Sequence, residues 1–181
     1  MYTDIKVLPR CKKSDEETFA RSKNMATSEK SRPDWDEYFL DIARVVAERA
    51  SCLRNKVGAV IVNNKDIVST GYNGAPSYQK NCLEIGNCYR NEHNIVSGTC
   101  LEQCRAVGSH AESNAISLAA RNGHSTFGAT IYITGHYFCC NQCKALIANA
   151  AIKRVVLEDP KGEIHEFFPE KDWTVHPIDQ N

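Results

Sequence analysis

Apolar side chains recur every three to four residues after Pro33, which predicts an amphipathic helix over Asp34–Ala50. Acidic residues crowd its first turn, where the positive end of a helix dipole favours them. The same spacing predicts two further helices, Ala111–Asn122 and Cys140–Ala151. The chain therefore has enough helical periodicity to cover the faces of a sheet.

Short apolar runs bounded by turn residues predict the strands of that sheet. They are Val57–Asn63, Ile67–Tyr72, Ala129–Thr134 and Lys153–Leu157. From residue 128 onward the order is strand, helix, strand, which is typical of a parallel crossover unit. Residues 163–181 mix aromatic and charged side chains and are expected to add one more short element. The order predicts an α/β protein.

Two segments lack periodicity. Residues 1–32 are polar and charged, which predicts a flexible tail or an arm that docks on a neighbour. Residues 33–181 then form one domain. Within it, residues 77–109 form a long irregular insertion that holds four of the nine cysteines. A segment of this length needs something other than an apolar core to hold it, and metal binding is the candidate.

Composition narrows the class of protein. The 181 residues carry 22 Lys plus Arg and 22 Asp plus Glu, and this balance argues against a partner that is nucleic acid. Apolar runs are too short to span a bilayer, and we expect no membrane partner. The charged N-terminus is unlike a secretory signal. An odd cysteine count with a Cys-x-x-Cys pair favours a reducing compartment, so we predict a cytoplasmic protein.

The chemistry concentrates in His110-Ala111-Glu112 and in Cys140-Asn141-Gln142-Cys143. One imidazole and two thiolates can hold zinc and leave its fourth position open, while a nearby carboxylate moves protons. His110 and Cys140 each fall at a predicted helix start, where backbone donors favour thiolate. Each residue taken alone has another interpretation. His110 would be a helix cap and Glu112 a solvated carboxylate. The two cysteines would be half of a zinc knuckle or a redox pair. The combination favours hydrolysis.

His-x-Glu followed by Pro-Cys-x-x-Cys is the signature of zinc nucleobase deaminases. The likeness extends over Pro33–Glu158, and there the chain resembles the deoxycytidylate (dCMP) deaminase family. One departure is Cys139, which stands where the family usually has proline and is expected to be a small buried residue. The segments that carry the resemblance are Cys52–Val62, Gly71–Pro76, His110–Ile116 and Cys140–Cys143.

The resemblance implies a three-layer cytidine-deaminase-like fold, with a mixed central sheet of about five strands flanked by helices. It implies zinc ligands His110, Cys140 and Cys143 and a proton shuttle at Glu112. The implied reaction is hydrolysis of dCMP to dUMP and ammonia, which supplies the precursor of dTTP.

The resemblance also implies a second, structural zinc held by Cys52, Cys82, Cys88 and Cys104, with Cys100 and His93 as alternative ligands. Four closed thiolate positions would fix the irregular insertion. Four free, partly buried thiols are the other interpretation.

Substrate and effector sites are predicted with less detail. Asn73 is a candidate amide partner for the base or sugar, and Tyr137 is a candidate to flank the nucleotide. The resemblance implies a homo-oligomer, with a hexamer favoured, that dCTP activates and dTTP inhibits, and Arg121 is a candidate for an effector or subunit contact. Candidate phosphate contacts are Arg54, Lys56, Arg90 and Arg105.

Three alternatives stay open. Some relatives accept dCTP, so a dCTP-accepting or bifunctional enzyme is one. A polynucleotide cytidine deaminase is the second, and neutral charge without an aromatic-basic strip speaks against it. The third is a non-enzymatic, zinc-stabilised binding module, against which Glu112 beside a three-ligand set speaks.

Overall fold

The computed structural model describes residues 32–96 and 99–175. The predicted N-terminal tail or arm lies almost wholly outside these residues. Five strands form one sheet in the order β2-β1-β3-β4-β5. The strands are β1 Gly58–Asn63, β2 Asp66–Tyr72, β3 Thr130–Thr134, β4 Arg154–Glu158 and β5 Ile164–Phe167. The helices are α1 Trp35–Ala47, α2 Cys82–Ile85, α3 Tyr89–Glu92, α4 Ala111–Arg121, α5 Asn141–Asn149 and α6 Pro169–Asp172, with a 3-10 helix at Leu101–Gln103.

The sheet is mixed, as expected. Strand β3 pairs with β4 in parallel through the crossover helix α5, and the other neighbouring strands pair antiparallel. Asn64 and Lys65 join β1 to β2 with positive φ angles of 49° and 73°. Two such residues match a two-residue hairpin turn whose twist fits that of the strands.

Alternation along the strands creates two apolar faces and hence three layers. Val60 and Val62 of β1 pack with Phe39 and Leu40 of α1 on one face. The opposite face carries the larger core and packs against α4 and α5. From the strands it takes Ala59, Ile61, Ile131, Ile133, Val155 and Leu157, and from the helices Ala111, Ala115, Cys143 and Ile147.

Helix bounds differ from the sequence expectation by a turn or less. Asp34 is the N-cap of α1 and accepts a hydrogen bond from the Glu37 backbone N at 2.8 Å, but the helix ends at Ala47, not Ala50. The predicted helix over Cys140–Ala151 begins at Asn141 and ends at Asn149, because Cys140 has extended backbone angles and serves as the N-cap. The expected element after residue 163 is β5 followed by α6.

The insertion 77–109 is more regular than its sequence suggested. It contains α2, α3 and the 3-10 helix. Asn81 and Glu84 form a reciprocal capping box around the first turn of α2. Such a box fixes a short helix without apolar periodicity. None of the helices in the described ranges is both long and apolar enough to cross a membrane.

Candidate active site

Two helix starts meet at one end of the sheet. His110 is the N-cap of α4 and Cys140 is the N-cap of α5, both with extended backbone angles. Neither side chain makes a capping hydrogen bond to its own helix. Both side chains are therefore left available to a shared ligand.

Helix α4 is fixed to the edge of the sheet by polar contacts. Asn114 Nδ2 donates to the Tyr72 carbonyl oxygen at 2.7 Å, and Ser69 Oγ donates to the Ala115 carbonyl oxygen at 2.8 Å. Tyr72 and Ser69 both belong to β2. These bonds set where the first turn of α4, with His110 and Glu112, lies on the sheet.

The three predicted ligands converge. His110 Nδ1 lies 3.5 Å from Cys140 Sγ and 3.4 Å from Cys143 Sγ. All three ligand atoms lie within 4.8 Å of one another. Zinc bonds of about 2.1 Å to nitrogen and 2.3 Å to sulfur place neighbouring ligands of a tetrahedral site roughly 3.6 Å apart. Donor type and spacing therefore fit zinc.

Hydrogen bonds within the triad favour a thiolate at Cys140. The Cys143 side chain, and next to it His110, hold the pKa of the Cys140 thiol well below its usual range. The same contact with Cys140, together with burial, raises the pKa of Cys143. His110 has its pKa raised, first by its hydrogen bond to Cys140. Thiolate is the form of cysteine that binds zinc.

Glu112 is buried in the first turn of α4, with 6% of its surface exposed. Burial raises the pKa of its carboxyl group. Glu112 does not belong to the group of converging ligand atoms, which His110, Cys140 and Cys143 form. It lines the same cavity as His110 and Cys140. A carboxyl group in this setting suits proton transfer.

The cavity has a volume of about 120 Å³ and joins the triad to the insertion. Its wall includes Asn73, His136 and Phe138 as well as residues of the cysteine-rich segment. A concave site with few converging polar groups is typical of a small-molecule pocket.

Asn73 lies in this wall and is 8% exposed. Its Oδ1 accepts a hydrogen bond from the Val57 backbone N, and its Nδ2 donates to the Asn55 carbonyl oxygen, each at 2.9 Å. The amide therefore holds the entry to β1 in place. One N–H and one acceptor position remain for a ligand.

The predicted Tyr137 is 56% exposed and is not part of the cavity wall, which His136 and Phe138 line instead. Sequence analysis missed His136. The sequence shows only that a glycine precedes it. The structure shows why: Gly135 has a φ of +90° and lies so close to the Lys56 carbonyl oxygen that no side chain fits. That turn sends the next residue, His136, to the cavity. Its Nδ1 lies 2.9 Å from the Phe138 carbonyl oxygen.

Cys139 lies in the core behind the triad and is 4% exposed. Burial raises the pKa of its thiol, and the neighbouring Glu112 raises it further. A neutral thiol packed among apolar side chains behaves as a small apolar residue.

The four cysteines expected to hold a second zinc, Cys52, Cys82, Cys88 and Cys104, line the same cavity. Burial raises the pKa of the Cys82 thiol, and the charges of Cys88, Cys52 and Cys104 raise it further. Within the described residues, the sulfur atoms of these four cysteines do not form a group in which all atoms lie within 4.8 Å of one another. Cys100, the alternative ligand, is exposed. Arg121 is the last residue of α4 and is exposed.

Residues 33–159 match the model of a family described as the cytidine and deoxycytidylate deaminase zinc-binding region. This chain belongs to the cytidine and deoxycytidylate deaminase family. The match confirms the family that the sequence motifs predicted. The family description names zinc as the metal. It gives no count of ions.

Curated relatives carry the name deoxycytidylate deaminase. The protein of Mycobacterium phage D29 is 43% identical over 129 residues, which cover 70% of this chain and 95% of that protein. The Schizosaccharomyces pombe protein is 35% identical over 125 residues, which cover 69% of this chain and 37% of that protein. This chain thus spans nearly all of the phage relative but little more than a third of the yeast one.

A solved relative has the same fold. The crystal structure of dCMP deaminase from the cyanophage S-TIM5 in complex with dCMP and dUMP aligns with a TM-score of 0.53 at 29% identity. The alignment covers 71% of this chain and 84% of that chain. It confirms the expected three-layer fold with a mixed five-stranded sheet.

Proposed function

We propose that this protein hydrolyses dCMP to dUMP and ammonia with zinc as its cofactor. The observation that carries the proposal is the convergence of His110, Cys140 and Cys143 beside the buried Glu112. The similarity to relatives named deoxycytidylate deaminase supports dCMP as the substrate. Loss of the amino group from dCMP gives the nucleotide from which dTTP is made.

Zinc, when bound by His110, Cys140 and Cys143, supplies a Lewis acid that makes water nucleophilic at neutral pH. Glu112 accepts the proton of the attacking water and gives it to N3 of the cytosine ring. It then takes the proton of the hydroxyl group now on C4 and gives it to the amino group as the C4–N bond breaks, so that C4 becomes a carbonyl and ammonia leaves. Burial suits this role, since a carboxyl group whose pKa is raised toward neutrality both accepts and returns a proton.

Substrate contacts are proposed for the cavity wall. Asn73 offers its remaining amide groups to the sugar or base, and we propose that the exposed Tyr137, which lies in the chain between the lining residues His136 and Phe138, flanks the nucleotide. For the phosphate we favour Arg54 and Arg105, which line the cavity and are less buried than Arg90. Arg54 is oriented by the bond from its Nη1 to the Ile95 carbonyl oxygen at 2.9 Å.

A second zinc is proposed at Cys52, Cys82, Cys88 and Cys104. Support comes from the presence of all four cysteines in the wall of one cavity and from the burial of Cys82 and Cys88. Drawing the sulfurs together around zinc would contribute folding free energy to the insertion. All four positions would be filled, so this ion would be structural.

Regulation and assembly follow from the family resemblance alone. We propose a cytoplasmic homo-oligomer, with a hexamer favoured, that dCTP activates and dTTP inhibits. Arg121, exposed at the end of α4, is the candidate effector or interface residue.

One substrate panel tests the proposal. Zinc-loaded protein is incubated with dCMP, dCTP, cytidine, cytosine and single-stranded DNA, and ammonia release is followed, with Glu112→Gln as the matched inactive control. Release from dCMP supports the proposal. Release from dCTP at a comparable rate identifies a bifunctional enzyme, and release from DNA alone identifies a polynucleotide deaminase. No release from any compound, with zinc bound, leaves the non-enzymatic binding module.

A further inference from the structure

Asn114 joins the start of α4 to the end of β2. It lies in the first turn of α4, where its backbone N donates to the carbonyl oxygen of the metal ligand His110 at 3.0 Å. Its side chain is half-buried. Asn114 Nδ2 donates to the carbonyl oxygen of Tyr72, the last residue of β2, at 2.7 Å. One residue therefore contacts both His110 and a strand end 42 residues away in the chain.

The bond to Tyr72 fixes the backbone at Asn73, the proposed substrate ligand. The Tyr72 carbonyl group and the Asn73 N–H belong to one planar peptide unit. The carbonyl oxygen accepts from Asn114, and the Asn73 backbone N donates to the Val57 carbonyl oxygen at 3.2 Å. A planar unit held on both edges does not rotate, so Asn73 keeps one orientation toward the cavity that it lines.

The Asn114 amide also holds the residue before His110. Its Nδ2 lies 3.4 Å from the Ser109 carbonyl oxygen, and Ser109 Oγ donates to Asn114 Oδ1 at 3.1 Å. The same Ser109 carbonyl oxygen accepts from the Gly74 backbone N at 3.3 Å. The backbone that leads into His110 is thus bonded to the backbone on both sides of Asn73.

Helix capping does not account for the bond to β2. Polar side chains at helix starts usually bond to backbone groups of their own first turn. Ser113 makes such contacts in α4, because its Oγ lies 2.9 Å from the Gly108 carbonyl oxygen and 3.0 Å from that of His110. The Asn114 amide instead crosses to the residue before Asn73.

We propose that Asn114 is a positioning residue that fixes Asn73 relative to the metal ligand His110. This inference rests on the proposed function, in which the cytosine ring reacts at the zinc site while Asn73 contacts the sugar or base. The reacting atoms of a nucleotide bound to Asn73 meet the zinc site only if the two side chains are held at a fixed separation. A displacement of about 1 Å can cost about 100-fold in rate.

Kinetics of zinc-loaded, full-length variants test the proposal. Asn114→Ala removes the amide, and Asn114→Asp keeps its shape but cannot donate to the Tyr72 carbonyl oxygen. The matched control is Asn63→Ala, because Asn63 Nδ2 also donates to a backbone carbonyl oxygen, that of Phe127 at 3.3 Å, at the far end of β1. We expect kcat for dCMP to fall about 10- to 100-fold in both Asn114 variants, with a smaller change in KM. Asn63→Ala should match wild type, and zinc content should be equal in all four proteins.

Crystal structures of the zinc-loaded proteins give a measurement that does not depend on activity. The distance from the ion at His110 to Asn73 Nδ2 should change by about 1 Å, or split between two conformers, in Asn114→Ala. It should not change in Asn63→Ala. If wild type releases no ammonia from dCMP while this distance changes as expected, the deaminase proposal fails and the role of Asn114 stands.

Three results would overturn the proposal. Wild-type kcat in both Asn114 variants, with only a lower unfolding midpoint, would reduce Asn114 to a source of stability. Loss of zinc from these variants would assign Asn114 to holding the metal ligand alone. An unchanged distance between the ion and Asn73 would remove the proposed displacement.

Ser109→Ala covers the case in which the Asn114 variants fail to fold. It removes the hydroxyl group that donates to Asn114 Oδ1 and leaves the bond from Asn114 to Tyr72. Loss of one hydrogen bond that orients the amide should lower kcat by about 2- to 10-fold, with zinc retained. Wild-type kcat in Ser109→Ala would then contradict the proposal.

Discussion

His110 Nδ1 lies 3.4 Å from Cys143 Sγ, although 33 residues separate them in the chain. The contact joins the start of α4 to the first turn of α5. It exists because β1 and β3 are neighbours in the sheet, so the helices that cover them also lie side by side. The metal chemistry of this protein therefore depends on packing between α4, α5 and the sheet beneath them.

Replacing Glu112 with glutamine removes the proposed proton carrier and keeps the shape of the side chain. We expect turnover of dCMP to fall by about 10²- to 10⁴-fold, the usual contribution of one acid–base group. Zinc content should not change, since Glu112 is not one of the converging ligands. Initial rates of ammonia release and zinc analysis check both expectations. Glu37→Gln, in the exposed first turn of α1, is the matched control. Near-normal turnover in Glu112→Gln would remove Glu112 from its role.

Gly71 sets the distance between β2 and α4. A Cβ atom at Gly71 would lie 2.2 Å from the Ala111 carbonyl oxygen and 2.4 Å from the Ala115 backbone N. Gly71→Ala should therefore lower the free energy of unfolding by about 1–3 kcal/mol and reduce turnover, because α4 carries His110 and Glu112. Denaturant unfolding and initial rates measure the two effects.

Gly162→Ala is the control for Gly71→Ala. Its φ is +85° and nothing lies within 4 Å of the added Cβ, so it introduces backbone strain without a clash. We expect a loss of stability of about 1–2 kcal/mol with unchanged turnover. Equal turnover in the two variants would show that α4 tolerates displacement.

Acid should weaken the attachment of α1 to the sheet. Hydrogen bonds from Arg154 hold the pKa of Asp36 below its usual value. A lowered folded-state pKa means that the unfolded state binds the proton more readily. The stabilisation is then complete above the ordinary pKa of about 4 and is lost as pH falls through the folded-state value.

Asp36→Asn removes this titration and leaves the Arg154–Glu166 ion pair. Between about pH 6 and about pH 3, a range that includes the ordinary carboxyl pKa, the unfolding midpoint in urea should therefore fall less in the variant than in wild type. Parallel curves for the two proteins would mean that Asp36 contributes nothing to the acid dependence.

A substitution in the four-cysteine site should remove the proposed second zinc and leave the catalytic zinc bound. Cys88→Ser removes one buried thiol of the four-cysteine site, so zinc content should fall from two ions per chain to one, and the protein should lose stability. Cys100→Ser, at an exposed thiol, should keep both ions. Metal analysis after gel filtration decides this, and an unchanged zinc content in Cys88→Ser would reject the second site.

Much of the fold could be predicted from local patterns. The crossover β3–α5–β4 follows from strand and helix periodicity, and His110 and Cys140 were expected at helix starts, which is where they lie. These features depend on residues close in sequence. Hydrophobic alternation also separates the face of β1 that meets α1 from the face that meets α4.

The cavity wall could not be predicted in the same way. His136 reaches it because Gly135 turns against Lys56, a contact between segments about 80 residues apart in the chain. The short helices α2 and α3 were not predicted because neither has apolar periodicity. A capping box fixes α2, and α3 is a single turn. Only the structure shows that Arg90 Nε is buried without a hydrogen-bond partner among residues 32–96 and 99–175.

Crystallography at the zinc absorption edge tests the central claim most directly. We predict an anomalous peak bonded to His110 Nδ1, Cys140 Sγ and Cys143 Sγ, with no protein atom in the fourth position and with Glu112 facing it. A fourth protein ligand at that ion, or zinc bound elsewhere with these three side chains free, would contradict the account.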